Sequence, residues 1–180
     1  GCWVYKMIST LSGQPGSGKT SVAREISSTY GFTIISAGEQ FRKLAQERGM
    51  TLEEFGTLAE NDPSIDVAID QRQKELSTKY SNALVEGRLA GRTIDAELKI
   101  WLKTPLSVRA QRISKREGIT PEQALSETRT REICEITRYK KYYDIDLNDL
   151  TIYDIVIDTS KWDVQGVTGI IFKAIEELKK

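Results

Sequence analysis

Histidine is missing from the 180 residues. That excludes Ser-His-Asp and Cys-His nucleophile systems and any His-ligated zinc. Cysteine is scarce: Cys2 and Cys134 stand far apart with no CxxC spacing, so a metal knuckle and a dithiol redox motif are both unavailable. Two lone cysteines in a chain with an adequate core point to a reducing compartment. Net charge is also absent, because 26 Lys plus Arg balance 26 Asp plus Glu. No global field therefore draws the chain to nucleic acid or to an anionic membrane. No apolar run reaches the length of a membrane span, and no basic region followed by an apolar stretch opens the sequence as a signal peptide would. A cytoplasmic protein without a membrane or nucleic-acid partner is expected, with Met7 as its native start.

What is present describes one globular domain, 39% hydrophobic and 29% charged, long enough to bury roughly 70% of its unfolded surface. Short apolar, β-branched runs at 7–12, 32–36, 83–86, 98–102 and 153–158 alternate with helical patterns. The helical stretches are 19–30, 39–48, 51–61, 63–80, 105–143 and 164–179. Thr51 with Glu54 three residues later predicts a helix start. Gly118 breaks the long 105–143 region, and Thr120-Pro121-Glu122-Gln123 restarts it with an N-cap and a proline at the first helical position. Two helices on a short, charged hinge could move as a flap. Strands separated by helices imply an α/β fold, a three-layer sandwich with a five-stranded parallel sheet covered on both faces.

Between the first strand and the first helix stands Gly13-Gln14-Pro15-Gly16-Ser17-Gly18-Lys19-Thr20, followed by Ser21. It fits GxxxxGK[ST], the phosphate-cradling P-loop. The glycines let the backbone wrap phosphate with its amides inward, and the following helix adds its positive end. Lys19 can reach the β- and γ-phosphates, and the Thr20 hydroxyl is placed for magnesium. A GTPase would carry an NKxD segment, which is absent, and large mechanical ATPases need more chain. A compact kinase needs a second anion site facing the first, with arginines to neutralise the transferring group.

Three stretches offer one. Ser36 and Gly38, with Arg42 a turn later, sit where the second strand meets a helix; an N-cap with a surface arginine is the plainer reading. Glu86-Gly87-Arg88, with Arg92 beyond, follows the third strand, and ligands bind past the carboxyl ends of parallel strands. Glu86 could orient a magnesium-bound water and Arg88 could hold an acceptor phosphate, while Arg92 could equally be a surface residue. The third is a pair of stripes, Arg109-Arg112-Arg116 before Gly118 and Arg131-Glu135-Arg138 after it. Solvated ion-pair faces look similar, but the excess of arginine over lysine favours forked phosphate contacts, and two to four of these are expected to be functional.

At this point the residues resemble the archaeal-type cytidylate (CMP) kinases of the nucleoside-monophosphate kinase family. The carriers are SGQPGSGKTSVA, ISAGEQFRKLAQERGM, IDVAIDQRQKEL, LVEGRLAG, LKIWLKTPLSVRAQRISKREG and TRYKKYYDIDLNDLTIYDIVIDTS, from Met7 nearly to the C-terminus. The resemblance implies a core at 7–37, 81–115 and 123–180, a nucleotide-binding insertion at 38–80 and a short lid at 116–122. It further implies ATP as phosphoryl donor with Mg²⁺, CMP or dCMP as acceptor, and a monomer. Residues 13–21 would cradle the donor. Ser36, Gly38, Arg42, Arg88 and Arg131 would bind the acceptor, with Arg131 also counted among the catalytic residues beside Lys19. Arg112, Arg116 and Arg138 would neutralise charge at the transferring phosphoryl. Where bacterial relatives typically place an acid after the Gly-Arg pair, this sequence has Leu89, so their base-reading contacts do not carry over. Asp66 and Arg92 are the substitute candidates. The alternatives are a kinase for another small acceptor (AMP, UMP or shikimate) and a nucleotide-binding module without turnover.

Overall fold

The computed structural model describes residues 6–180; Cys2 and the rest of residues 1–5 lie outside them. Five parallel strands, β1 (Met7–Gly13), β2 (Thr33–Ser36), β3 (Asn82–Glu86), β4 (Leu98–Lys103) and β5 (Ile155–Asp158), form one sheet in the order β2-β3-β1-β4-β5. Eight helices among the described residues connect or flank them: α1 (Lys19–Tyr30), α2 (Ala37–Glu47), α3 (Leu52–Asn61), α4 (Pro63–Ser77), α5 (Ala90–Thr93), α6 (Leu106–Glu117), α7 (Pro121–Tyr143) and α8 (Val164–Leu178). The expected five-stranded parallel α/β sheet is present, each strand within two residues of its expected span. The four-residue α5 was not foreseen, being too short to show a period.

Side-chain alternation explains why both sheet faces are covered. Leu84 joins Met7, Leu11, Leu98, Ile100 and Leu102 against α1 and α8, where Val22, Ile26, Val167, Ile171 and Ile175 meet them. Its neighbours Ala83 and Val85 point the other way, with Ile35, toward Ala90, Ile94 and Leu76. The three helices between β2 and β3 carry a cluster of their own, built on Leu44, Phe55, Ala59, Ile65 and Ile69. Cutting Phe55, which is fully buried, to alanine should cost about 3–5 kcal/mol.

The helix starts follow their sequence signals. Ser36, Thr51 and Thr120 each accept from the amide three residues on, at 3.4, 3.1 and 3.1 Å. Asp62 accepts from Ser64 N at 3.0 Å ahead of Pro63. Gly118, at φ 70°, ends α6. In register, Leu11 faces Glu86 on one side and Ile100 on the other. The loop after β1 therefore emerges at the centre of the sheet, between the carboxyl ends of β3 and β4.

Candidate active site

The loop from Gly13 to Thr20 is shaped from behind. Its carbonyls are drawn outward: Arg109 Nη1 donates to Pro15 O at 3.3 Å, Arg112 Nη1 to Gly16 O at 3.1 Å, and Thr159 Oγ1 to Ser17 O at 2.9 Å. Arg109 is fixed in turn by Thr104 O at 2.8 Å and by an ion pair with Glu132. With the carbonyls of Pro15, Gly16 and Ser17 held from behind and the Ser17 amide bonded to Gln14 O at 3.1 Å, the amides of Gly16, Gly18, Lys19 and Thr20 have no backbone partner among the described residues. Gly16 and Gly18 make this possible at φ 80° and 97°, values that strain any residue with a Cβ. Gly18 is also the N-cap of α1 and supplies no capping side chain, so the first-turn amides stay available to an anion.

Lys19 Nζ donates to Gly13 O and Gln14 O, at 2.8 and 3.0 Å. Burial first, and then the like charge of Arg88, push its pKa down to about 7. An arriving phosphate would reverse both effects and restore the full ammonium charge. Thr20 lies exposed on the cleft wall, and Glu86 lies across from the loop and close enough to Lys19 to raise its pKa in part.

Facing this loop is a second set of cations. Arg88 leaves the end of β3 and pairs with Glu135 of α7; the Glu135 side chain is buried and that of Arg88 mostly so. Arg131 Nε reaches the same carboxylate at 3.4 Å. Burial, then Arg131, lower the Arg88 pKa to about 10. Arg42, on α2, lines the same cleft beside Gly38. The whole cleft measures about 1660 Å³, above the roughly 300–1,000 Å³ of a one-ligand pocket. It has room for more than one such ligand.

The predicted residues gather here, with differences. Residues 15–21, Ser36, Gly38, Arg42, Asp66, Arg88, Arg112, Arg116, Arg131 and Arg138 all line the cleft. Arg92 does not, and its expected base-reading role is corrected: its guanidinium donates to the carbonyls of Asp146 and Asp149, at 2.9 and 2.5 Å, and braces the loop after α7. Arg138 lies against Asp66, Nε to Oδ2 at 3.4 Å, on the α4 wall and not over the P-loop. Arg112 gives Nη1 to Gly16 O and to Thr159 Oγ1 at 3.0 Å, and Nη2 to Thr159 O at 2.9 Å, so it props the loop. The stripe Arg109-Arg112-Arg116 thus divides into two loop supports and one exposed arginine.

Sequence reasoning missed Asp70, Gln73 and Thr159. Asp66, Asp70 and Gln73 fall at i, i+4 and i+7, a single helical face that could have been noticed. Thr159 directly follows β5, where the rule on strand carboxyl ends also pointed.

The comparisons with known proteins agree with this geometry. The family model of the cytidylate kinase-like family matches residues 8–161. The chain belongs to the cytidylate kinase-like family. Among its relatives, a protein named cytidylate kinase from Methanocella arvoryzae is 75% identical over 174 residues, 97% of this chain and 99% of that one. Another of that name, from Methanocaldococcus jannaschii, is 50% identical over 179 residues, 97% of this chain and all of that one. Among solved structures, a shikimate kinase from Bacteroides thetaiotaomicron superimposes with a TM-score of 0.63 at 13% identity, covering 94% of this chain and 98% of that one. That likeness bears on the fold alone. Among the described residues no helix is long and apolar enough to cross a membrane.

Proposed function

We propose that this member of the cytidylate kinase-like family transfers the γ-phosphoryl group of ATP to CMP or dCMP, giving ADP and CDP or dCDP. One observation carries the reading: a P-loop tied back to present its amides stands across the cleft from a set of arginines. A single phosphate site would need no second set.

The residues divide the work as follows. The free amides of the loop within residues 13–21 and the Lys19 ammonium hold the donor phosphates. Arg42, Arg88 and Arg131, with Ser36 and Gly38 at the start of α2, take the acceptor phosphate. Its attacking oxygen is already anionic near neutral pH, so no general base is required and the lack of histidine is harmless. That oxygen bonds to the γ-phosphorus as the bond to the ADP oxygen breaks. Arg131 and the exposed Arg116 are the candidates to meet charge on the group in transit, while Arg112 acts through the loop. Magnesium fits a site of this kind, which takes one or two protein oxygens with phosphates and water supplying the rest. Thr20 would hold it and Glu86 would orient its water; bound there, it would neutralise charge on the phosphate oxygens.

Residues 38–80 are then the acceptor-binding insertion, and 116–122 the lid that closes to keep water from the γ-phosphoryl. The test is ADP release with CMP, dCMP, UMP, AMP or shikimate as acceptor. Release that depends on CMP or dCMP is expected. Release equal with and without any acceptor would overturn the kinase reading, and release driven best by AMP or shikimate would overturn the acceptor.

A further inference from the structure

One stretch of the cleft is walled by α4 and α7. Two contacts fasten the walls: Arg138 to Asp66, and Tyr143 OH donating to Pro63 O at 2.7 Å. At the other end of the same α4 face, Gln73 is buried, and its Nε2 donates to Ile35 O at 3.1 Å and Glu86 O at 2.9 Å. Two carbonyl partners consume both amide hydrogens, so only the Oε1 acceptor remains. Asp70 stands between, one turn from Asp66 and one from Gln73, on the cleft wall. Among the described residues its carboxylate makes no ion pair and no hydrogen bond. An unpartnered, half-buried carboxylate costs stability, which a ligand's donor would recover.

Cytosine supplies such a donor. Its edge shows an amino group beside a ring-nitrogen acceptor, whereas uracil shows a carbonyl beside a ring N–H. We propose that Asp70 is the specificity residue of the acceptor subsite, its carboxylate accepting from the exocyclic amino group of the base, while Asp66 is a positioning residue that holds Arg138 against the α4 wall. This rests on the cytidylate kinase reading and names the group that discriminates within it. Arg138, so held, is left to donate to the ring nitrogen or ring carbonyl. Uracil would bring its own carbonyl against the Asp70 carboxylate, and the two acceptors repel.

A protonated Asp70 would donate to that carbonyl and lose the discrimination. Burial first, then the like charge of Asp66, push the Asp70 carboxyl up to about 6, with Lys74 opposing them. Asp66 and Lys74 on α4 and Tyr143 of α7 lie within electrostatic reach of it, and Arg42, Glu60 and Arg138 line the same cleft. Its proton therefore leaves as pH rises through the neutral range. The ratio of kcat/KM for CMP to that for UMP should rise between about pH 5 and pH 8. The nucleotide phosphate also titrates near pH 6, at about the same pH for both substrates, and the ratio cancels it.

The experiment measures that ratio across this range for the wild type, Asp70→Asn and Asp66→Asn. In the wild type the ratio should climb with pH. Asp70→Asn, whose amide can donate or accept, should lower it at high pH by roughly ten- to a hundredfold and flatten the profile. Asp66→Asn should weaken both nucleotides alike and keep the climb, displaced to lower pH because the like charge that raises Asp70 is gone. A flat wild-type profile overturns the proposal without any variant having to fold. So does an Asp70→Asn enzyme that retains both ratio and slope, or an Asp66→Asn enzyme that loses them. If the wild type phosphorylates neither pyrimidine nucleotide, the proposed function itself fails.

Discussion

On the proposed function, the two ends of the cleft would hold phosphate by opposite means. At the donor end the ligating groups are backbone amides, turned inward because Arg109, Arg112 and Thr159 hold the loop's carbonyls from outside. Nothing there has to move before phosphate arrives, apart from the Lys19 amine on its two carbonyls. At the acceptor end the ligating groups are side chains, and two of them, Arg88 and Arg131, already share a carboxylate, Glu135. The donor end is a mould. The acceptor end is an exchange of one anion for another. A preformed nest gives firm binding of a group common to all triphosphates, while an exchange makes acceptor binding sensitive to charge balance.

The hardest blow to this contrast is at Lys19. Lys19→Met should lower turnover by about 10²–10³-fold, since Lys19 is the cation set against Gly13 O and Gln14 O at the mouth of the loop. The same change should raise the melting temperature of the nucleotide-free enzyme. Its folded pKa of about 7 lies below the ordinary 10.5, so between those values the unfolded chain binds more protons. Wild-type stability should therefore gain from rising pH across that window, and the variant should lose that gain. Melts at pH 7 and 9 compare the two slopes. Near-normal turnover in the variant would break the donor half of the contrast.

Next in size is the charge exchange itself. Arg88→Lys keeps a cation but not the fork, and should raise KM for CMP at least tenfold with little change for ATP. Glu135→Gln should act in two directions. Arg88, mostly buried and deprived of its counter-charge, should destabilise the fold by about 3–5 kcal/mol, while the less compensated arginines bind CMP more tightly. Calorimetric titration and a denaturant melt read these separately. If CMP binding weakens in Glu135→Gln, the carboxylate aligns Arg88 and does not compete for it.

A smaller effect is expected at the loop support. Arg109→Lys removes the fork that joins Pro15 O, Thr104 O and Glu132. It should raise KM for ATP by roughly fivefold, the cost of one lost hydrogen bond of about 1 kcal/mol, and leave KM for CMP nearly unchanged. Equal losses for both substrates would show that the two ends are mechanically coupled through α7, which carries Glu132 and Glu135 on adjacent turns.

These contrasts also mark how far the sequence could be read. The strands, the P-loop and the helix starts at Thr51, Pro63 and Thr120 follow from local rules, because hydrophobic period, glycine placement and capping act within a few residues. The direction of an arginine does not. Arg109, Arg112 and Arg116 share a stripe, yet their tasks differ because Pro15 O, Gly16 O and Thr159, up to 96 residues distant in sequence, come close only in the folded chain. Arg92 was misplaced for the same reason: the carbonyls of Asp146 and Asp149 claim it from 54 and 57 residues away. Asp70 shares a legible helical face with Asp66 and Gln73, but the face alone does not show which wall it meets.

The smallest expected effect lies at the join between α6 and α7, where neither means of holding phosphate operates until the nucleotides are bound. Gly118 sits at φ 70° with open space where a Cβ would be, and among the described residues the exposed Arg116 pairs only with its neighbour Glu117, at 3.5 Å. No buried contact fixes that arginine, so the free enzyme should exchange amide hydrogens readily at 114–122. Phosphate charge from both substrates would give Arg116 a partner and hold the segment down. Exchange there should slow when ATP and CMP analogues are bound together, and much less with either alone. Arg116→Ala should remove most of that slowing while leaving each substrate's own affinity within about threefold, because an exposed side chain contributes little to ground-state binding. Protection that appears fully with the donor alone would assign the segment to the mould and leave the acceptor end without a lid.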